Sequence, residues 1–264
     1  MIMHPRGGYR TLRIVCSIVG VVSMTALADT SRVAAQTAAS ATKPIRTMVY
    51  AFRFGTSTDV TVHDSGFDGG PVSGLADYRS AGGDEGTITA DVVAILKDGG
   101  LAIRISEQAK NSRSAPPAVC VTYGSTIVLC DPHAKVNVEE YALLRFLGRN
   151  FVDPALIDSN GTWTRETTGP QQSDVTHFHL DANQDGVLHI SEQRKLAITG
   201  TGAMTLATQG MIVYDLHRTI PISIDEQTDT HPESGTNQER SIRTQIDLTL
   251  KNDSFAGVQA PTHL

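Results

Sequence analysis

Two cysteines, a few histidines and a carboxylate-rich run are the residues of this 264-residue chain whose spacing suits chemistry. Cys120 and Cys130 flank the segment VTYGSTIVL. A three-residue loop, Gly124 to Thr126, pairs Tyr123 with Ile127 and sets Cys120 opposite Cys130. Directly opposed strand residues lie roughly 4.5–5.5 Å apart at Cα, within disulfide reach. The expected chemistry is a structural disulfide closing a short loop, worth about 2–3 kcal/mol at most. A zinc site is not expected there, because Cys-x9-Cys lacks partner ligands at finger spacing.

Residues 181–192 read DANQDGVLHISE. This stretch resembles the EF-hand calcium loop at every position that its pattern names. The resemblance implies Asp181, Asn183, Asp185, the Val187 carbonyl and Glu192 as oxygen ligands, with Gly186 at the sharp turn. The flanks depart from the family. Val175 to Leu180 alternates and holds β-branched residues, where an entering helix is required. Gln193 follows Glu192 where an apolar residue is usual.

The same residues also fold as a β-hairpin. A three-residue loop, Gln184-Asp185-Gly186, pairs Ala182 with Leu188, Leu180 with Ile190 and Phe178 with Glu192. It places all five apolar residues on one face, whereas helix–loop–helix accounts for about half of them. The loop carboxylates would then hold calcium weakly, at roughly 0.1–1 mM. The opposite face collects His177, His179, Asp181 and His189, a donor set suited to zinc or copper. Its bland alternative is a solvated strand face.

No other chemistry rises above background. The sequence holds no G-x-S-x-G elbow, no H-E-x-x-H and no phosphate-binding glycine loop. His63-Asp64-Ser65 is contiguous, but neighbouring strand residues point to opposite faces. Asp64 and Asp68 beside glycines read as turn chemistry. With one Trp, an aromatic carbohydrate platform is not evident. The reading leans to a non-enzymatic protein.

The elements that must position these residues are mostly strands. Period-two alternation recurs at 48–54, 88–96, 101–105, 212–224 and 242–250. Residues 64–74, 79–86 and 228–239 read as loops. A single helix is expected near 138–147. Asn137 is its N-cap, Glu140 completes a capping box, Leu143, Leu144 and Leu147 form its apolar stripe, and Gly148 stops it. The fold class is mainly β: a curved antiparallel sheet or open half-barrel with one packed helix, or alternatively a β-sandwich.

Residues 1–28 read as a secretory signal peptide. Arg6, Arg10 and Arg13 precede a short apolar core and an Ala26-Leu27-Ala28 cleavage site. Residues 29–43 form a flexible lead, 44–254 one β-rich domain and 255–264 a tail. Export to the periplasm or beyond supplies the oxidising compartment that the cysteine pair requires. The charge of −6 becomes −9 once the three arginines of the leader are removed. An acidic protein disfavours nucleic acid as a partner, and no transmembrane segment is expected after cleavage.

The stretch CVTYG, then CDP, then NVEEYALLRFLGRNFVDP, between 120 and 154, resembles part of an uncharacterised group of exported bacterial proteins. That resemblance implies a compartment and no activity. At fold level only, a curved sheet cradling a helix is similar to periplasmic lipoprotein carriers. Two functional readings stand side by side. The first is a non-enzymatic domain whose concavity holds a lipid-like or small apolar ligand, without a cofactor. The second is a calcium-stabilised surface module using 181–192. A hydrolase is a distant third.

Overall fold

The computed structural model describes residues 43–62, 78–97, 100–111, 117–123, 126–131, 133–147, 151–152, 157–233 and 238–255. The expected signal peptide, most of the lead, His63-Asp64-Ser65, Asp68, Gly148 and most of the tail lie outside them. Eleven strands build one antiparallel sheet in the order β5-β4-β3-β2-β1-β11-β10-β9-β8-β7-β6, and the sheet does not close. They are β1 (Arg46–Val62), β2 (Tyr78–Ile95), β3 (Leu101–Ala109), β4 (Ala118–Tyr123), β5 (Thr126–Leu129), β6 (Thr162–Gly169), β7 (Gln172–Gln184), β8 (Val187–Ile198), β9 (Met204–Asp215), β10 (Ile220–Pro232) and β11 (Gln238–Asp253). Two meanders therefore run outward from a shared centre. The curved sheet with one packed helix is the architecture of the described residues, and the sandwich is not.

The helix, α1 (Val138–Leu144), lies between β5 and β6 in the chain. Its first turn is fixed by the Asn137 N–H, which donates to Glu140 Oε2 at 2.8 Å. Leu143, Leu144, Phe146 and Leu147 are buried in the core that the sheet's inner face supplies. Tyr50, Phe151 and Tyr214 fill the same space from the strands and from the segment after the helix. The Tyr50 hydroxyl is satisfied by donating to the Pro221 carbonyl at 2.9 Å.

Three expectations are corrected here. Residues 79–86 belong to β2, not to a loop. A Cβ on Gly86 would lie 2.0 Å from the Gln108 carbonyl oxygen, and one on Gly83 would lie 2.7 Å from that of Phe54. Glycine thus marks close backbone approach within a strand. Most of 228–239 is likewise strand, in β10 and β11.

The cysteine hairpin differs by one residue. Tyr123 pairs with Thr126, so Cys120 faces Leu129. Because the side-chain period is two, that slip sends the thiols to opposite faces. Cys120 joins the main core and Cys130 a smaller cluster with Val93, Ala102 and Val121. No disulfide joins them. Burial, then proximity to Cys130, pushes the Cys120 thiol well above the ordinary thiol range.

The third correction is at 181–192. The loop is a two-residue turn, with Asp185 at φ 52° and Gly186 at φ 84°. Phe178 pairs with Glu192 and Leu180 with Ile190, as expected, but Ala182 pairs with His189. A β-bulge between Leu180 and Ala182 absorbs the extra residue and restores the phase. Because Asp181 is spliced out of the ladder, the two-residue turn still leaves Phe178, Leu180, Leu188 and Ile190 on a common apolar face, whereas Ala182 moves to the face of His189.

Candidate functional site

The inner face of β6–β11 is apolar near the hairpin turns and becomes polar further along. Ile190, Ile212, Ile224, Leu248 and Phe52 make one cross-strand row. Two residues along each strand, the next row reads Glu192, Gly210, Glu226, Ile246 and Phe54. The row after that reads Arg194, Thr208, Thr228, Thr244 and Thr56. Charges thus interrupt an apolar face at strand period.

Gly210 lies between the two glutamates. A Cβ there would stand 3.1 Å from Glu226 Cγ and 3.5 Å from Glu192 Oε2. The missing side chain leaves room for both carboxyls over β9. Arg145, at the C-cap of α1, reaches down to them. Its Nη2 donates to Glu192 Oε1, and its Nη1 donates to Glu226 Oε1 at 3.1 Å. The Arg145 and Glu226 side chains are 8% and 4% exposed, and that of Glu192 is fully buried.

Two carboxylates and one guanidinium leave an excess negative charge in a dry place. Burial, then the neighbouring Glu192, pushes Glu226 up to about 7 against the opposing pull of Arg145. Glu192 Oε2 is buried without a hydrogen-bond partner. Despite burial, the two glutamates hold Arg145 above the ordinary arginine range.

Beside this triad, Arg194 Nε and Nη2 grip the Asp174 carboxylate at 2.8 and 2.6 Å. Its guanidinium lies 6.0 Å from the Tyr141 ring. From β6, Arg165 donates to the Phe151 carbonyl and lies over the Phe151 ring at 5.5 Å. Arg145, Arg165 and Arg194 converge with Tyr141, Asp174 and Thr176 on a cavity of about 40 Å³. Three guanidiniums thus meet the carboxyls of Asp174, Glu192 and Glu226 at and beside this recess.

At the other end of α1, Glu139 and Glu140 are buried near Glu107. Asn137 Nδ2 donates to Glu107 Oε2 at 2.7 Å. Burial, then Glu107, pushes Glu139 up to about 8. Burial also pushes Glu140 up to about 7, against the hydrogen bond from the Asn137 backbone.

The residues singled out from the sequence fall elsewhere. Asp181, Asn183 and Asp185 are exposed on the β7–β8 hairpin. Asn183 Oδ1 accepts from the Gly186 N–H at 3.2 Å, which is turn chemistry. Glu192 points inward to Arg145, away from those three. His177 and His179 are exposed on the outer face. His177 Nδ1 lies 2.9 Å from Thr164 Oγ1, and His179 Nε2 lies 3.7 Å from Asp181 Oδ1. His189 is half-buried beyond the bulge. Among the described residues, no group of three or more His, Cys, Asp or Glu is arranged to hold a metal ion.

Glu226, Arg165 and Arg194 escaped the sequence reading. For Arg194 the signal was present in LHISEQRKL, 188–196, where Glu192 and Arg194 occupy the positions that Leu188, Ile190 and Leu196 mark as inward. Fold and site together define an open antiparallel sheet with a charged, arginine-lined recess under α1. No protein-family model matches the chain, and no curated protein matches it significantly. Among the described residues, no helix is long and apolar enough to cross a membrane.

Proposed function

We propose that this chain is an exported, non-enzymatic binding domain whose recess takes the acidic head group of a small, otherwise apolar molecule. The observation that carries the reading is the convergence of Arg145, Arg165 and Arg194 on one cavity with Phe146 and Phe178 in its wall. Guanidinium forks suit a carboxylate or a phosphate, and the aromatic wall suits an apolar neighbour. The cavity has room for a head group and not for a chain. Tyr50, Phe146, Phe151 and Tyr214 already fill the concave face beneath it. The apolar remainder of the ligand would extend outward from the recess. The leader expected at 1–28 supports export.

The test is titration with dodecanoic acid and with dodecanol, read by displacement of a fluorescent fatty acid. The acid is expected to compete at least tenfold better than the alcohol, and Arg165→Gln to remove most of that preference. Equal competition, or none, would defeat the reading. Native mass spectrometry of gently purified protein adds an independent check for a carried acid.

A further inference from the structure

We propose that the outer face of the sheet binds a linear, uncharged glycan along a row of glutamine amides. Gln193, Gln209, Gln227 and Gln245 stand in register on the adjacent strands β8, β9, β10 and β11. All four side chains are exposed. Adjacent strands lie about 4.8 Å apart, so the amides repeat at that interval in a line across the strands. His177 and Thr164 continue the line at one end. Gly55 and Gly83 continue it at the other. A Cβ added at Gly55 would meet nothing within 4 Å, so the floor is open there.

At the β6–β8 end the line enters a groove of about 320 Å³. Its lining is Thr162, Thr164, His177, His179, Ser191 and Gln193, which donate or accept hydrogen bonds, together with the largely buried Trp163 and Phe178. None of these is an acid, a lysine or an arginine. The rims are different. One carries Asp225, Asp247 and Arg53 and the other Lys195, Asp229 and Arg243, the last two paired at 2.8 Å.

A neutral track between charged rims sets the chemistry of the occupant. Nucleic acid requires cations along the track, and a peptide strand requires a free backbone edge in place of a side-chain face. An extended neutral glycan offers hydroxyl groups at an interval close to the strand spacing, and amides serve both as donors and as acceptors for them. The row holds no aromatic platform, so affinity rests on hydrogen bonds that compete with water. The expected Kd is on the order of 0.1–1 mM. This surface is independent of the arginine recess, which lies on the other face.

Native gels cast with dextran, laminarin or hydroxyethylcellulose test the proposal. Retardation is expected in at least one of them. The double variant Gln209→Ala/Gln227→Ala is expected to migrate freely there while keeping the wild-type melting temperature. Free migration of the wild type in all three gels overturns the proposal, as does equal retardation of the variant. Sedimentation separates a further outcome: a dimer that dissolves in the double variant would give the row to a second copy of the chain, and also overturns the proposal.

Discussion

Glu192 and Glu226 sit two strands apart and share Arg145 across the bare backbone of Gly210. The arrangement ties the end of α1 to the sheet through groups whose charges do not balance. Its first consequence concerns pH. Glu226 and Glu140 are raised to about 7 and Glu139 to about 8. A carboxyl whose folded pKa is raised binds its proton more tightly when folded. That stability is fully present below the unfolded carboxylate pKa and is lost as pH rises through the folded value. The melting temperature is therefore expected to fall by several degrees between pH 5 and pH 8, and differential scanning fluorimetry reads it. Asp215 and Asp253 act in the opposite sense. Despite partial burial, Arg218 and Arg46 respectively hold them below the ordinary range, so their contribution is lost only at more acid pH. A melting temperature that rises from pH 5 to pH 8 would contradict the assignment.

Removing the shared cation isolates the triad. Arg145→Met leaves two buried glutamates facing each other. The expected cost at pH 8 is about 3–5 kcal/mol. It should shrink at pH 5, where the carboxyls take protons. Urea denaturation at both pH values gives the comparison, and a cost independent of pH would show that packing alone holds the helix down.

Gly186 fixes the β7–β8 turn. Its φ is 84°, and a Cβ would lie 2.5 Å from His217 Nε2. Gly186→Ala should cost about 1–2 kcal/mol from the left-handed backbone alone. The His217→Ala background should relieve the remainder. Denaturation of the two single variants and the double variant measures both parts.

The second reading of 181–192 gives a clean contrast. A calcium-stabilised module melts higher in millimolar calcium. With Glu192 held by Arg145, Asp181, Asn183 and Asp185 lack the two-oxygen ligand that closes such a loop. The expected outcome is no shift on adding calcium or chelator, and a rise of several degrees would restore the calcium reading.

The cysteines are equally direct to check. Intact mass after alkylation should show two added groups on unfolded protein freed of the leader and its Cys16, without reductant, and none on Cys120 in the native state. One disulfide's worth of missing label would reverse the correction made at that hairpin.

Much of the architecture was legible because sidedness is local. Alternation marked the strands, and the Asn137–Glu140 capping box marked the helix. Register was less legible. Both hairpins were off by one residue at the turn, for one physical reason: a two-residue turn and a three-residue turn predict opposite faces, and only the partner strand or a bulge decides. At Cys120 the slip separated two thiols, whereas at Asp181 a bulge cancelled it. The arginine recess was hidden because Arg145, Glu192 and Glu226 meet only through strand pairing and helix packing. The glutamine row was hidden in the same way, since its members are at least sixteen residues apart in the chain.

The first and last strands, β1 and β11, are neighbours in the middle of the sheet. A nascent polypeptide can therefore pair β1 to β5 early, but it cannot join the two halves until β11 is available. Until then β1 presents an open seam, and a product truncated ahead of residue 238 would keep that seam permanently. Such fragments should aggregate edge to edge, and assembly should be slow, gated by joining residues some two hundred positions apart.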